Sequence, residues 1–181
     1  MKKILTMLIV FVYFVPMSLI LSFYLISTQN LQGSSTLAAL SMPFVFMLVV
    51  CGIVIINIVG SMRSVVQQQC LSFRTVMVFK LWLIPFYIVN FACWVLASAV
   101  FHIAIIVWPI IPLITAYTYF SMLGTSAHII AKLTVLRRSK KITAKQFAIH
   151  CILQIVFAAD VIDSIYLAIK QKKFEPTLEL Q

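Results

Sequence analysis

The chain has four carboxylates and three histidines, so acid–base chemistry has few places to sit. Asp160 and Asp163 fall within a stretch, 146–169, that is otherwise rich in Ile, Val and Phe, and His150, Gln154 and Ser164 share it. An ionisable side chain inside an apolar helix is either paired internally or lines a path for ions or protons. At 100° per residue, Gln146, His150, Gln154, Asp160 and Ser164 occupy an arc of about 120°. His150, Gln154, Asp160, Asp163 and Ser164 are therefore the candidate functional stripe, with His102 and Asn90 as candidate partners from elsewhere in the chain.

A nucleophile needs a base beside it. Gly124-Thr125-Ser126-Ala127-His128 approaches a serine-nucleophile motif, but the second glycine and the preceding strand are missing. On a helix Ser126 and His128 point about 200° apart, and adjacent His150 and Cys151 also diverge, so neither pair forms a dyad. Gly124, Ser126 and Ala127 read instead as small residues that let helices approach closely. Cys51, Cys70, Cys93 and Cys151 are scattered singly, and no HExxH or Cys/His spacing of a metal site occurs. The expectation is a protein with no catalytic residue, no metal and no cofactor.

The composition explains why so few polar groups are present. Hydrophobic residues make up 63% of the chain, charged residues 10%, and the mean hydropathy is +1.10; soluble domains are about 45–50% apolar with about 25% charged residues. Such a chain needs hydrocarbon around it, which predicts a single all-α membrane domain over 1–181 with the lipid bilayer as its principal partner. The net charge of +10 does not point to nucleic acid, because the basic residues cluster at the ends of apolar segments rather than along an aromatic-interleaved stripe.

Five apolar segments, at 4–27, 37–61, 81–101, 110–136 and 146–169, are each long enough to cross about 30 Å of hydrocarbon. The first is too long for a secretory leader and lacks a small-residue cleavage site. The second carries Pro43 near its start, where a missing amide hydrogen costs least. The more polar stretch 62–80, with apolar positions too sparse for a span, reads as a cytoplasmic connection, an interfacial helix being the alternative to a loop. The 81–136 run is a hairpin whose turn falls at 102–110, marked by His102, Trp108, Pro109 and Pro112. Arg137, Arg138, Lys140 and Lys141 then form the strongest topology signal. With residue 1 in the cytoplasm and five crossings, eleven of the fourteen Lys and Arg lie on the cytoplasmic side and the carboxyl end lies outside.

The last segment carries a conflict. Its twelve Leu, Ile, Val and Phe residues favour insertion by on the order of 5 kcal/mol, and two central Asp residues cost about as much. A crossing also places Lys170, Lys172 and Lys173 outside. A helix lying on the cytoplasmic interface would put every basic residue on one side, but the narrow polar stripe suits burial in a bundle better than exposure to water. The fold expected is therefore a five-helix membrane bundle, the alternative being four crossings plus one interfacial helix. In the five-helix form Asp160 and Asp163 lie in the outer half, about 21 and 26 Å along the helix from Gln146, where His102 is the expected partner of one of them.

The segments KLWLIPFYIVNF at 80–91, LGTSAHII at 123–130 and HCILQIVFAADVIDSIY at 150–166 resemble a family of small multi-pass membrane proteins of Gram-positive bacteria, classed as a domain of unknown function. The resemblance implies a bacterial cell membrane and transfers no ligand or catalytic residue. Two functions fit these observations. One is a non-enzymatic bundle that binds another membrane component or a second copy of itself, in an assembly, immunity or regulatory role. The other is a small transporter or channel subunit for protons or cations with Asp160 and Asp163 on the path.

Overall fold

A computed structural model describes residues 1–29, 34–100 and 110–174. All of its regular structure among these residues is helical: α1 (Lys2–Gln29), α2 (Ser34–Gln67), α3 (Phe73–Val100), α4 (Ile110–Arg138), α5 (Ala144–Leu153) and α6 (Phe157–Phe174). Three of them are long and apolar enough to cross a membrane, over Lys2–Ser22, Ser34–Gln67 and Phe73–Ala92. Five crossings are thus not supported.

One departure from expectation lies in a connection. The polar stretch 62–80 is mostly helix, because α2 runs on to Gln67 and α3 begins at Phe73, leaving a turn of five residues, 68–72. That turn is made without glycine: Gln68 takes φ +55° and the amide of Gln69 donates to the carbonyl of Ser64 at 3.1 Å, which closes the helix end. The end of α4 is built the same way, with Lys140 at φ +56° and the amide of Lys141 donating to Leu136 at 2.9 Å. Of the hairpin turn expected at 102–110, residues 102–109, with His102, Trp108 and Pro109, lie outside the described residues, and Ile110 opens α4.

A second departure is larger. The segment 146–169 is not one helix but a helical hairpin. Thr143 and Gln146 form a reciprocal cap at the start of α5, with the Thr143 amide donating to Gln146 Oε1 at 3.0 Å and the Gln146 amide donating to Thr143 Oγ1 at 3.2 Å. After Leu153 the chain turns through Gln154, Ile155 and Val156, and α6 runs back. Gln171 Oε1 accepts hydrogen bonds from Ser72 Oγ at 2.9 Å and the Arg74 amide at 3.3 Å. The far end of α6 therefore lies beside the start of α3, whereas a fifth crossing would carry it to the opposite end of the bundle. The Tyr119 hydroxyl of α4 donates to the Ile155 carbonyl at 3.1 Å, which satisfies a backbone group that the turn frees.

The second helix shows how backbone gaps are filled inside the bundle. Pro43 sits well within α2 rather than near its start, and its missing N–H leaves the carbonyl of Ala39 without a helical donor. Ser22 Oγ of α1 lies 2.6 Å from that carbonyl. One apolar core joins Leu5, Leu8 and Val12 of α1 to Val50 and Val54 of α2 and to Leu83 and Phe86 of α3. A second joins Phe73 and Val76 of α3 to Ile129, Leu133 and Leu136 of α4 and Leu167 of α6.

Helix α4 touches all five other helices and so forms the axis of the bundle. This explains its lower apolarity: Ser121, Thr125, Ser126, His128 and Lys132 are all buried among neighbouring helices, so the helix needs little hydrocarbon-compatible surface of its own. The apolar residues are displaced outward, as at Leu48, 73% exposed, and Ile169, 74% exposed. Broad exposed apolar surface of this kind is what a lipid-facing bundle presents.

Candidate functional site

Among the described residues, the buried Lys80, Asp160 and Asp163 meet in one place, while the buried Lys132 lies over the Phe73 ring. Lys80, two turns into α3 and 2% exposed, points its ammonium group at α4, α6 and the α5–α6 turn. Its Nζ donates to Ser126 Oγ at 3.0 Å, to Gln154 Oε1 at 2.6 Å and to Asp160 Oδ1. An ammonium has three N–H donors, and here each has an acceptor. Ser126 Oγ in turn donates to Asp160 Oδ1 at 2.8 Å, so a hydroxyl bridges the two charges.

The network continues outward through Gln154. Its Nε2 donates to Asp163 Oδ2 at 2.7 Å, and Asp163 Oδ1 lies 2.5 Å from His150 Nδ1. Asp160, Asp163, Ser164 and Gln154 are all buried, and His150 is half-buried. Ser164 Oγ turns back to the Asp160 carbonyl at 2.6 Å. The line Asp160–Lys80–Gln154–Asp163–His150 thus runs from the bundle axis to the hairpin flank, through side chains of α3, α5, α6 and the turn.

The sequence-predicted stripe does converge, but by reversal of the chain rather than along one helix face. His150 and Asp163 would be about 20 Å apart on a continuous helix; the turn at 154–156 brings them into contact. Distances along the segment therefore do not place the two carboxylates at opposite depth to the basic cluster. Gln146 is exposed and spends its side chain on the cap of α5. His102 lies outside the described residues, and the two carboxylates have Lys80 and His150 as their partners. The residue that sequence reasoning missed is Lys80. By sequence it is the last residue of the 62–80 cytoplasmic connection; the signal that could have found it is the need of Asp160 for a cation at bundle depth.

The remaining candidates are distributed around the bundle. Asn90 Nδ2 donates to Thr118 Oγ1 at 2.6 Å and ties α3 to α4. Gly124 lies where a Cβ atom would stand 3.2 Å from Val54 and 3.3 Å from Leu8, so its lack of a side chain permits close approach of α1, α2 and α4. Ser126 belongs to the charge network. Ala127 lines a cleft of about 430 Å³ between α2 and α4. Arg137 lies over the Phe147 ring, 5.1 Å from its centroid, while Arg138, Lys140 and Lys141 are exposed where α4 ends. His128, 2% exposed, has its Nε2 3.1 Å from Asn57 Oδ1 of α2.

Chemically, Lys80 and Ser126 have the composition of a serine–lysine couple. Yet Ser126 is 0% exposed, its hydroxyl proton is directed at Asp160, and the lysine is held by three acceptors. A reacting carbonyl would need to approach through packed protein to reach the hydroxyl. Among the described residues no group of three His, Cys, Asp or Glu is placed to hold a metal ion. The arrangement is that of an internal tie, a set of polar groups that satisfy one another and fasten the hairpin α5–α6 to α3 and α4.

A helical chain with several apolar helices and a buried, self-satisfied charge network is the class of protein defined here. It belongs to a family of unknown function, DUF6652, whose model matches residues 2–173. No curated protein and no solved structure matches the chain.

Proposed function

We propose that this chain is a non-enzymatic, multi-pass protein of the cell membrane that acts by binding another membrane component. In this reading α1 to α4 cross the bilayer and the α5–α6 hairpin enters and leaves from the cytoplasmic side. The observation that carries it is the hairpin reversal, fastened by Lys80, Asp160 and Gln154. With the reversal, Lys2 and Lys3, the Arg137 to Lys141 cluster and Lys170 gather at one end of the bundle, and the conflict with the positive-inside rule disappears. The outer face of the hairpin supports immersion: Ile149, Ile152, Ile155, Ile162 and Ile169 are all exposed. The carboxyl end is then cytoplasmic rather than extracytoplasmic.

The transport reading has less support. An amide gains or loses no proton near neutral pH, and the Gln154 amide stands between Asp163 and the Lys80–Asp160 pair, so it interrupts a proton relay along the network. The test is reconstitution of the purified protein in liposomes together with native extraction into lipid discs. The expected result is no proton or cation leak above protein-free vesicles and a membrane component retained in fixed stoichiometry. A leak that Asp160→Asn abolishes would replace this reading with the transport one.

A further inference from the structure

The α5–α6 hairpin leaves a groove of about 740 Å³ on its outer side, within the range of small-ligand sites of about 300–1,000 Å³. Its two ends differ in character. At the rim stand Lys141, from the end of α4, and Lys170, from the last turns of α6, with Gln146 and Tyr166 between them. Lys170 bonds to the Tyr166 hydroxyl and its Nζ lies 4.3 Å from the Tyr166 ring centroid, which holds the ammonium at the groove. Deeper in, Ile149, Leu153 and Ile162 form apolar walls. Ile149 and Ile162 are 46% and 69% exposed, so the walls continue onto the outer face of the hairpin.

Among the described residues, Asp163 is the one carboxylate that lines this groove, and both its oxygens are engaged, one by His150 and the other by Gln154. The rim therefore offers cationic donors, and the oxygens of Asp163 are taken up by His150 and Gln154. We propose that the groove between α5 and α6 binds one anionic phospholipid, its phosphodiester between Lys141 and Lys170 and its acyl chains along Ile149 and Ile162. Basic pockets at the cytoplasmic ends of membrane helices recognise anionic headgroups by such complementarity, and the apolar walls select an amphiphile over a free anion. The inference rests on the membrane reading above and names the bound component.

The test is native mass spectrometry of delipidated protein in detergent, titrated with phosphatidylglycerol, phosphatidylcholine or inorganic phosphate. One phosphatidylglycerol per chain is expected, bound in preference to phosphatidylcholine and not displaced by millimolar phosphate. Each of Lys141→Gln and Lys170→Gln should weaken it about fivefold, and the pair about thirtyfold, from the contribution of one lysine at a charged surface. Lys2→Gln with Lys3→Gln, at the same end but away from the groove, should leave it unchanged. Thermal unfolding of the lipid-free variants should match the parent, which separates loss of the site from loss of the fold. Equal binding of phosphatidylcholine, displacement by phosphate, or equal weakening by the Lys2 and Lys3 changes would each overturn the proposal. Protein that stays monomeric in buffer without detergent would overturn the membrane reading instead.

Discussion

Replacing Lys80 by Met removes the single ammonium that three acceptors share, and the cost can be worked from those contacts. Asp160, 1% exposed, keeps only the Ser126 hydroxyl as a side-chain donor, and Gln154 Oε1 loses its partner. Breaking one member of a buried ion pair costs about 3–5 kcal/mol, because the other charge remains without compensation. Asp160→Leu should cost a similar amount, since Lys80 is left with neutral acceptors only. The double variant removes both charges and leaves two uncharged polar groups short of a partner, worth about 1–3 kcal/mol each. At the middle of these ranges a coupling energy of about 4 kcal/mol is expected from the four-variant cycle. Reversible unfolding in mixed micelles, followed by tryptophan fluorescence, measures it. Additive losses, with coupling below about 0.5 kcal/mol, would refute the claim that these residues act as a unit.

Other expectations rest on separate contacts. Gly124→Val should destabilise the protein by about 1–3 kcal/mol through crowding against Val54 and Leu8, whereas Gly52→Ala and Gly60→Ala, which meet nothing within 4 Å, should be neutral or gain up to about 1 kcal/mol in the same unfolding assay. Thr143→Ala removes the cap of α5 and should cost about 1 kcal/mol, with Thr143→Ser restoring most of it. Ser22→Ala leaves the Ala39 carbonyl above Pro43 without its donor and should cost about 1–3 kcal/mol; Ser22→Thr, which keeps the hydroxyl, is the matching control.

Much of the helical framework is legible in the sequence, because long runs of Leu, Ile, Val and Phe leave little choice of secondary structure. The first apolar segment, 4–27, falls within α1; of the polar stripe, Gln154, Asp160 and Ser164 are buried, whereas Gln146 is exposed. What sequence periodicity misses is chain reversal without its usual punctuation. The turn at 154–156 contains no Gly or Pro, and the Gln68 and Lys140 turns use positive φ at residues with side chains, at about 1–2 kcal/mol each. The clue to the hairpin lay in charge rather than in periodicity: a straight last segment placed Lys170, Lys172 and Lys173 on the wrong side. Lys80 escaped for a related reason. A lone lysine at the end of an apolar run has the same local pattern whether it snorkels to the headgroups or turns inward to an aspartate, and only the tertiary partner distinguishes the two.

The central claim, that α5 and α6 form a hairpin returning the chain to its starting side, is tested most directly by thiol labelling. In a background freed of Cys51, Cys70, Cys93 and Cys151, Lys140→Cys and Lys173→Cys would each be exposed to a membrane-impermeant maleimide. The hairpin predicts that both react in inside-out vesicles and neither reacts in intact cells. Reaction of Lys173→Cys from outside intact cells, with Lys140→Cys protected, would show that the segment crosses the membrane as one span.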